Sequence, residues 1–285
     1  MTTTFPLGPF TVKRIGFGAM QLPGPGVMGP PRDHDQAIAV LKRAVDLGVD
    51  HIDTAQFYGP DVANELIREA LHPYPENLAL VSKVGARRSE QGEWLSAQQP
   101  DELRADIETN LETLGIDRLA AVNLRIHSGD PNSVSPVDRE LFDRQLTAMI
   151  AARDEGLIAG IGLSSVSVDH LRIALDRTEI VTVQNAYNLV DRSSQPVLDL
   201  CTEHGISFVP FFPLGSGFTT DNPVLGNVAV QNAAAELART PAQIALAWTL
   251  SVAPNVLLIP GTSSVAHLEE NVAIADIQLP ADFTP

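Results

Sequence analysis

The chain holds one cysteine, Cys201, so no internal disulfide can brace the fold. Cys201 sits in the helix-like stretch VLDLCTEHG. There a small buried apolar role is expected rather than that of a nucleophile. No uncharged apolar run approaches the roughly 18 residues that a membrane-crossing helix needs. Positive charge is scarce, with 19 Lys and Arg against 35 Asp and Glu, a formal net charge of −16. That balance argues against nucleic acid and anionic membrane surfaces as partners. It also means that an anionic cofactor needs a local electropositive site. The opening MTTTFPLGPF lacks a basic region followed by an apolar core, so no secretory signal is expected, and a reducing cytoplasm fits. No low-complexity linker divides the chain. With 285 residues and 44% hydrophobic content, a single domain spanning 1–285 is expected.

What is present is alternation. Strand candidates are RIGFGAM (14–20), VDHID (49–53), LALVSKV (78–84), AAVNLRI (120–126), IAGIGL (158–163), IVTVQN (180–185), ISFVPF (206–211) and VLLIP (256–260). Helical patterns lie between them. One runs from Asp33 as N-cap to Gly48, one from Pro100 to Leu114 before Gly115, and one from Asp138 to Glu155 before Gly156. Further helices fit near 61–71, 167–176, 193–204, 227–238, 241–251 and 264–274. Eight strands with interleaved helices predict an α/β fold, a parallel (β/α)8 TIM barrel. A doubly wound sheet is the alternative. FPLGPFTVKRIG, ahead of the first barrel strand, predicts an N-terminal β-hairpin capping the barrel bottom.

Residues 24–29 read GPGVMG, which has the Gly-x-Gly-x-x-Gly spacing of a dinucleotide fingerprint. That pattern carries meaning only after a strand and at the opening of a helix. Pro25 lies inside it and Pro30 and Pro31 follow. Prolines remove amide donors where a pyrophosphate would need them. A cofactor, if bound, is expected to be held elsewhere.

In a barrel of this type the chemistry lies at the C-terminal strand ends. HIDTAQFYG places Asp53 and Tyr58 after the second strand, VSKVG places Lys83 on the third, and NLRIHSGD places His127 after the fourth. Singly, each has a plain role: a turn cap, a rim residue, a solvated strand end, a loop hydrogen bond. Together they form a consistent set. Tyrosine ordinarily titrates near pH 10 and is a poor acid at neutral pH unless its phenolate is stabilised. A neighbouring ammonium does that, a carboxylate fixes the ammonium, and a histidine can orient a carbonyl oxygen.

On these motifs the chain resembles the aldo-keto reductase family, from about LGPFTVKRIGFGAMQL to EENVAI. HIDTAQFYG matches that family's Asp-Thr-Ala…Tyr signature. The resemblance implies a catalytic tetrad of Tyr58, Asp53, Lys83 and His127. Tyr58 would be the proton donor, Lys83 and Asp53 would tune it, and His127 would orient the carbonyl. Hydride would come from a reduced nicotinamide, so an aldehyde or ketone would become an alcohol.

The resemblance also assigns cofactor contacts. In GFGAMQL, Gly18, Ala19 and Met20 would lie beside the nicotinamide and substrate, as would Asp53. Ser164 and Ser165 in GIGLSSV stand at the family's Ser-Asn pair, with Ser165 replacing Asn. With Gln184 of VQNAYN they would hold the carboxamide. In VPFFPLGSG, Phe211 would stack on the nicotinamide ring and Phe212 stands where Ser is usual. Leu214, Gly215, Ser216 and Gly217 would cover the pyrophosphate. IPGTSSVAHLEEN matches the adenosine-phosphate segment, but Gly261 and His267 replace its Lys and Arg. What remains there is Thr262, Ser263, Ser264 and a helix N-terminus. Glu270 and Asn271 match the adenine-contacting pair. The implied cofactor is NADPH over NADH, with reduced discrimination.

GPGVMGPP then reads as a rim loop, and with PFFPLG it resembles the microbial branch that includes pyridoxal reductases (pyridoxine 4-dehydrogenases). Pyridoxal is the substrate this implies, with Met20, Phe57 and Trp94 at its pocket. Asn123 and Arg125 share strand parity with His127 and should point inward. A buried Arg needs an anionic partner, and a structural ion pair is the expectation for Arg125. Two other functions fit parts of the pattern. One is a lyase forming a Schiff base on Lys83, which needs a neutral amine that Asp53 disfavours. The other is a non-enzymatic NADPH-binding regulatory subunit.

Overall fold

The computed structural model describes residues 3–126, 135–215, 222–280 and 283–284. His127, Ser216 and Gly217 lie outside the described residues. The strands are β1 (Thr4–Leu7), β2 (Phe10–Lys13), β3 (Phe17–Gly18), β4 (His51–Asp53), β5 (Ala79–Val84), β6 (Ala86–Arg88), β7 (Trp94–Ser96), β8 (Ala121–Arg125), β9 (Ile161–Ser164), β10 (Thr182–Ala186) and β11 (Ser207–Phe211). The α-helices are α1 (His34–Asp46), α2 (Val62–Leu71), α3 (Pro100–Leu114), α4 (Arg139–Asp154), α5 (Val168–Leu175), α6 (Gln195–His204), α7 (Val228–Leu237), α8 (Pro241–Ser251) and α9 (Val265–Val272).

Seven strands form one parallel sheet in the order β3-β4-β5-β8-β9-β10-β11, with helices in the crossovers. Strands buried on both faces read as near-continuous apolar runs, and β5 (ALVSKV) is buried at all six positions. The helix boundaries follow the local signals. Asp33 caps α1 by accepting from Gln36 N–H at 2.9 Å. Gln99 and Glu102 form a capping box on α3, and Gly115 ends it at φ +68°.

The expected strand at 256–260 is not a regular strand. Val256 bridges Phe208 and Leu258 bridges Ile15, each as an isolated parallel pair. Leu257 N–H donates to Phe208 O (2.9 Å) and Gly16 N–H to Leu258 O (2.8 Å), so this segment spans the gap between the sheet's two edges. Pairing stops there because Pro260 has no N–H to contribute. The expected first strand is shorter too: only Phe17–Gly18 pair, and Ala19–Gln21 coil into a 3-10 turn. Arg14 locks this seam from below. Its guanidinium is buried and donates to three carbonyls, Val256 (3.0 Å), Leu250 (2.5 Å) and Ala253 (2.7 Å).

The N-terminal hairpin is present, β1 antiparallel to β2. Leu7 and Val12 pack onto Ala79, Ala121, Val209 and Leu257 near the N-terminal ends of the strands. Burying each such side chain contributes about 1.5–3 kcal/mol. The opposite, C-terminal end of the sheet is left for chemistry.

Candidate active site

Asp53 ends β4 and Lys83 lies one residue from the end of β5. Both are buried, with relative exposures of 3% and 6%. Lys83 Nζ donates to Asp53 Oδ1 and to Thr54 O (3.2 Å), and it stands 5.1 Å from the centre of the Tyr58 ring. Burial lowers the Lys83 pKa. The charges of Asp53 and Tyr58 and their hydrogen bonds more than offset it, so the net shift is upward and the amine is an ammonium. The other Asp53 oxygen, Oδ2, accepts from Gln184 Nε2 at 2.6 Å. Gln184 Oε1 is buried without a hydrogen-bond partner.

A buried amide chain fixes the loop that carries Tyr58. Thr54 Oγ1 donates to Asn64 Oδ1 (2.8 Å), and Asn64 donates to Asn110 Oδ1 (2.9 Å). Asn110 in turn receives Ser82 Oγ–H (2.6 Å) and donates to Gln56 Oε1 (3.0 Å). Residues on both sides of Ala55 are thereby tied to α2, α3 and β5. Sequence reading missed this network, although DTAQ and its partners TN and S were in view; only the fold brings them together.

A cleft of about 770 Å³ runs across this end of the sheet. Of the cofactor candidates, Gly18, Met20, Asp53, Gln184, Phe211, Phe212, Leu214, Gly215, Gly261, Ser263 and Asn271 line it, as do Tyr58 and Lys83. Ala19, Ser164, Ser165, Thr262, Ser264, His267 and Glu270 are not among its lining residues. Ser165 adopts a left-handed backbone at φ +57°, held by its N–H to Gln184 O (2.9 Å). Asn185 clamps the next residue, accepting from Val166 N–H (3.0 Å) and donating to Val166 O (2.7 Å). The Ser165 hydroxyl is buried and unpartnered, like Gln184 Oε1. Gln184 lines the cleft, and its orphaned Oε1 suits a ligand amide; Ser165 does not line it. In the last loop, Thr262 accepts from Ser264 N–H (3.0 Å) and Ser264 caps α9 by accepting from His267 N–H (3.4 Å). Two backbone donors counted on for an anion are therefore already engaged. Gly261 is pressed against β3, where a Cβ would lie 2.5 Å from the Gly18 carbonyl oxygen.

GPGVMG is a rim loop. Gly24 N–H closes on Gly29 O (3.1 Å), Gly29 N–H donates to Gly59 O (2.7 Å), and Gly59 N–H to Val27 O (3.2 Å). The loop is zipped to the turn after Tyr58. Its glycines serve the turn itself: Gly26 and Gly29 have φ of +69° and +66°, and a Cβ on Gly24 would meet two carbonyl oxygens at 2.6 Å. Its amides are used internally and do not point at a phosphate.

Sequence reading missed the β6–β7 hairpin, which carries Trp94. Arg88 lies 4.1 Å from the Trp94 ring centre and donates to Gly26 O (2.9 Å), tying hairpin to rim loop. Phe57 is 1% exposed, wedged edge-on between Tyr58 (5.3 Å) and Trp94 (5.6 Å), so it backs the site rather than facing the cleft. Arg125 forms no ion pair among the described residues, contrary to expectation; carbonyl-bound Arg14 is the buried Arg with a structural role. Other lining residues missed by the sequence, such as Arg32, Gln36, Asn222 and Pro260, follow strand ends but carry no motif. Cys201 is buried, and burial pushes its thiol up to about 12, as expected of an inert residue.

The family model described as "Aldo/keto reductase family" matches residues 14–284. The chain is 49% identical over 278 residues to pyridoxine 4-dehydrogenase of Escherichia coli, covering 98% of this chain and 94% of that protein. It is 40% identical over 280 residues to an uncharacterized oxidoreductase of Schizosaccharomyces pombe, covering 98% and 87%. A solved aldo-keto reductase from Klebsiella pneumoniae in complex with NADPH superposes with a TM-score of 0.80 at 25% identity, covering 99% of this chain and 92% of that one. The chain is an oxidoreductase and belongs to the aldo/keto reductase family.

Proposed function

We propose that the enzyme reduces an aromatic aldehyde to its alcohol with NADPH, and that pyridoxal is the substrate. The observation that carries this is the buried Asp53–Lys83–Tyr58 assembly at the edge of the cleft. The reduced nicotinamide, when bound, supplies the hydride. The chain's part is proton delivery and orientation. Tyr58 O–H donates its proton to the carbonyl oxygen. The Lys83 ammonium stabilises the phenolate left behind, and Asp53 keeps Lys83 charged and in place. Gln184 uses its N–H2 on Asp53 and keeps Oε1 free to accept from a carboxamide. Phe211 and Phe212 offer aromatic surface on the opposite strand end. Their neighbours Leu214 and Gly215, with Ser263 and Asn271, carry the cleft toward the adenosine end.

The 49% identity to pyridoxine 4-dehydrogenase supports the pyridoxal reading, and the NADPH complex of the Klebsiella relative supports the cofactor. Gly261 and His267 offer no fixed cation to a 2′-phosphate, so preference for NADPH over NADH is modest. The lyase reading is disfavoured by the upward shift of Lys83, since Schiff-base formation needs the free amine. A non-enzymatic role is disfavoured because proton donor, ammonium and carboxylate are all assembled.

The test is the initial rate of NADPH and of NADH oxidation with pyridoxal. Turnover with a higher kcat/KM for NADPH is expected. Equal values for the two cofactors would remove the preference. Absence of turnover under conditions where NADPH binds would remove pyridoxal and direct the search to other carbonyl compounds.

A further inference from the structure

Arg125 is a charged group near Tyr58 that the mechanism leaves without work. It ends β8, where its register partner on β9 is Ser164, and Ser164 pairs in turn with Gln184 on β10. Register neighbours in a parallel sheet share a face, so Arg125 points the same way as Gln184, toward the site. Lys83 pairs with Asn123, two residues earlier on the same strand face. Arg125 therefore stands one layer closer to the mouth than Lys83. Its guanidinium carbon lies 5.4 Å from the centre of the Trp94 ring. Trp94 contacts Phe57 and Phe57 contacts Tyr58. Tyr58 is also near enough to act electrostatically on Arg125.

Among the described residues no hydrogen bond or ion pair holds this guanidinium, and the Trp94 ring stands beside it. The Arg125 Nε is buried with no hydrogen-bond partner, although the residue as a whole keeps some exposure. No carboxylate lies within ion-pair distance among the described residues, whereas the other half-buried arginine of this wall, Arg88, is spent on the carbonyls of Gly26, Val27 and Gly92. Burial lowers the Arg125 pKa, yet guanidinium remains charged under any condition a protein survives. A buried unpaired cation is costly and is retained where a ligand completes it.

We propose that Arg125 is a substrate-binding residue that pairs with an anionic oxygen ortho to the reacting carbonyl, selecting aromatic aldehydes that carry an ionised hydroxyl next to the formyl group. This rests on the reading of Tyr58 as the donor to the carbonyl oxygen. Two adjacent oxygens on one ring would then be read by two groups at this end of the sheet, the phenol of Tyr58 and the guanidinium of Arg125. Pyridoxal has this pattern, with a 3-hydroxyl beside its 4-formyl group. Aldehydes without the ortho oxygen leave the cation unpaired and bind less well.

The experiment compares pyridoxal with 3-deoxypyridoxal in the wild type, Arg125→Met and Arg125→Lys. Calorimetric binding of the two corresponding alcohols, pyridoxine and 3-deoxypyridoxine, is measured in the presence of NADPH. Wild type should favour the hydroxylated member of each pair by about tenfold to a hundredfold, the range for a charge-assisted hydrogen bond. In R125M that ratio should collapse to within about threefold of unity. R125K should recover part of it. R125M leaves no carboxylate unpaired among the described residues, so it is expected to fold, and its melting curve checks this. An unchanged ratio in R125M, equal loss on both aldehydes, or a wild type indifferent to the hydroxyl would each overturn the proposal. If neither aldehyde turns over, the pyridoxal reading fails by itself, and the ratio of alcohol affinities still decides the role of Arg125.

Discussion

Asp53→Asn removes the countercharge from a lysine that has almost no access to water. Removing one partner of a buried ion pair typically costs about 3–5 kcal/mol. At roughly 2 °C per kcal/mol for a chain of this size, the variant should melt about 6–10 °C below wild type near neutral pH. The penalty has a ceiling, because Lys83 can release its proton. In the wild type the folded pKa of Lys83 lies above the ordinary lysine value of 10.5. That contributes stability which is fully present below the unfolded pKa and is lost only as pH rises through the folded one. In the variant, burial is opposed by Tyr58 alone, and the folded pKa falls below the unfolded value. The variant then carries a cost at neutral pH that shrinks as pH climbs toward the unfolded pKa. Differential scanning calorimetry at about pH 7 and about pH 9.5 should therefore show a gap that narrows with pH. A gap of under about 1 kcal/mol at neutral pH, or one that widens with pH, refutes the claim that a buried charge pair holds this site.

Other substitutions probe neighbouring parts. Ser165→Asn should be tolerated, since Asn accepts the left-handed backbone at φ +57°, and should tighten NADPH binding severalfold in a fluorescence titration. Ser165→Val should lower stability by about 1–3 kcal/mol, because a β-branched residue strains that conformation. Gly261→Lys, which restores the cation typical of relatives, should not improve NADPH affinity, because its Cβ meets the Gly18 carbonyl oxygen and pushes the loop away. A tenfold gain in affinity would contradict that. Gln184→Leu should weaken cofactor binding and also loosen Asp53, since one amide serves both; loss of only one effect would separate the two roles.

Local chemistry made much of this legible. Helix ends at Asp33, Pro100, Gly115 and Asp138 were readable because capping acts within a turn of chain. The strand ends bearing Asp53 and Lys83 were readable from apolar runs closed by a polar residue. Long-range effects were not. VLLIP reads as a strand, but its partners on either side are far away in sequence, and only two residues pair. RRSEQGEWL hides a hairpin because it is short and charged, and Trp94 is held there by Arg88 and Phe57 from other segments. GPGVMG has the spacing of a phosphate loop for a different reason, namely that the turn docked on Gly59 needs left-handed residues. Strand parity turned Arg125 inward, but no sequence rule reveals that none of the described carboxylates pairs with it.

The most direct measurement is Tyr58→Phe, read by two assays on the same preparation: NADPH binding by fluorescence titration and single-turnover reduction of pyridoxal. The hydroxyl is the only atom removed, and the ring packing on Phe57 is retained. Binding within about twofold of wild type with a rate lower by about 10²–10⁴-fold is the predicted result. A rate preserved in the variant would show that the proton comes from elsewhere and would contradict the account of Asp53, Lys83 and Tyr58 as one proton-delivering unit.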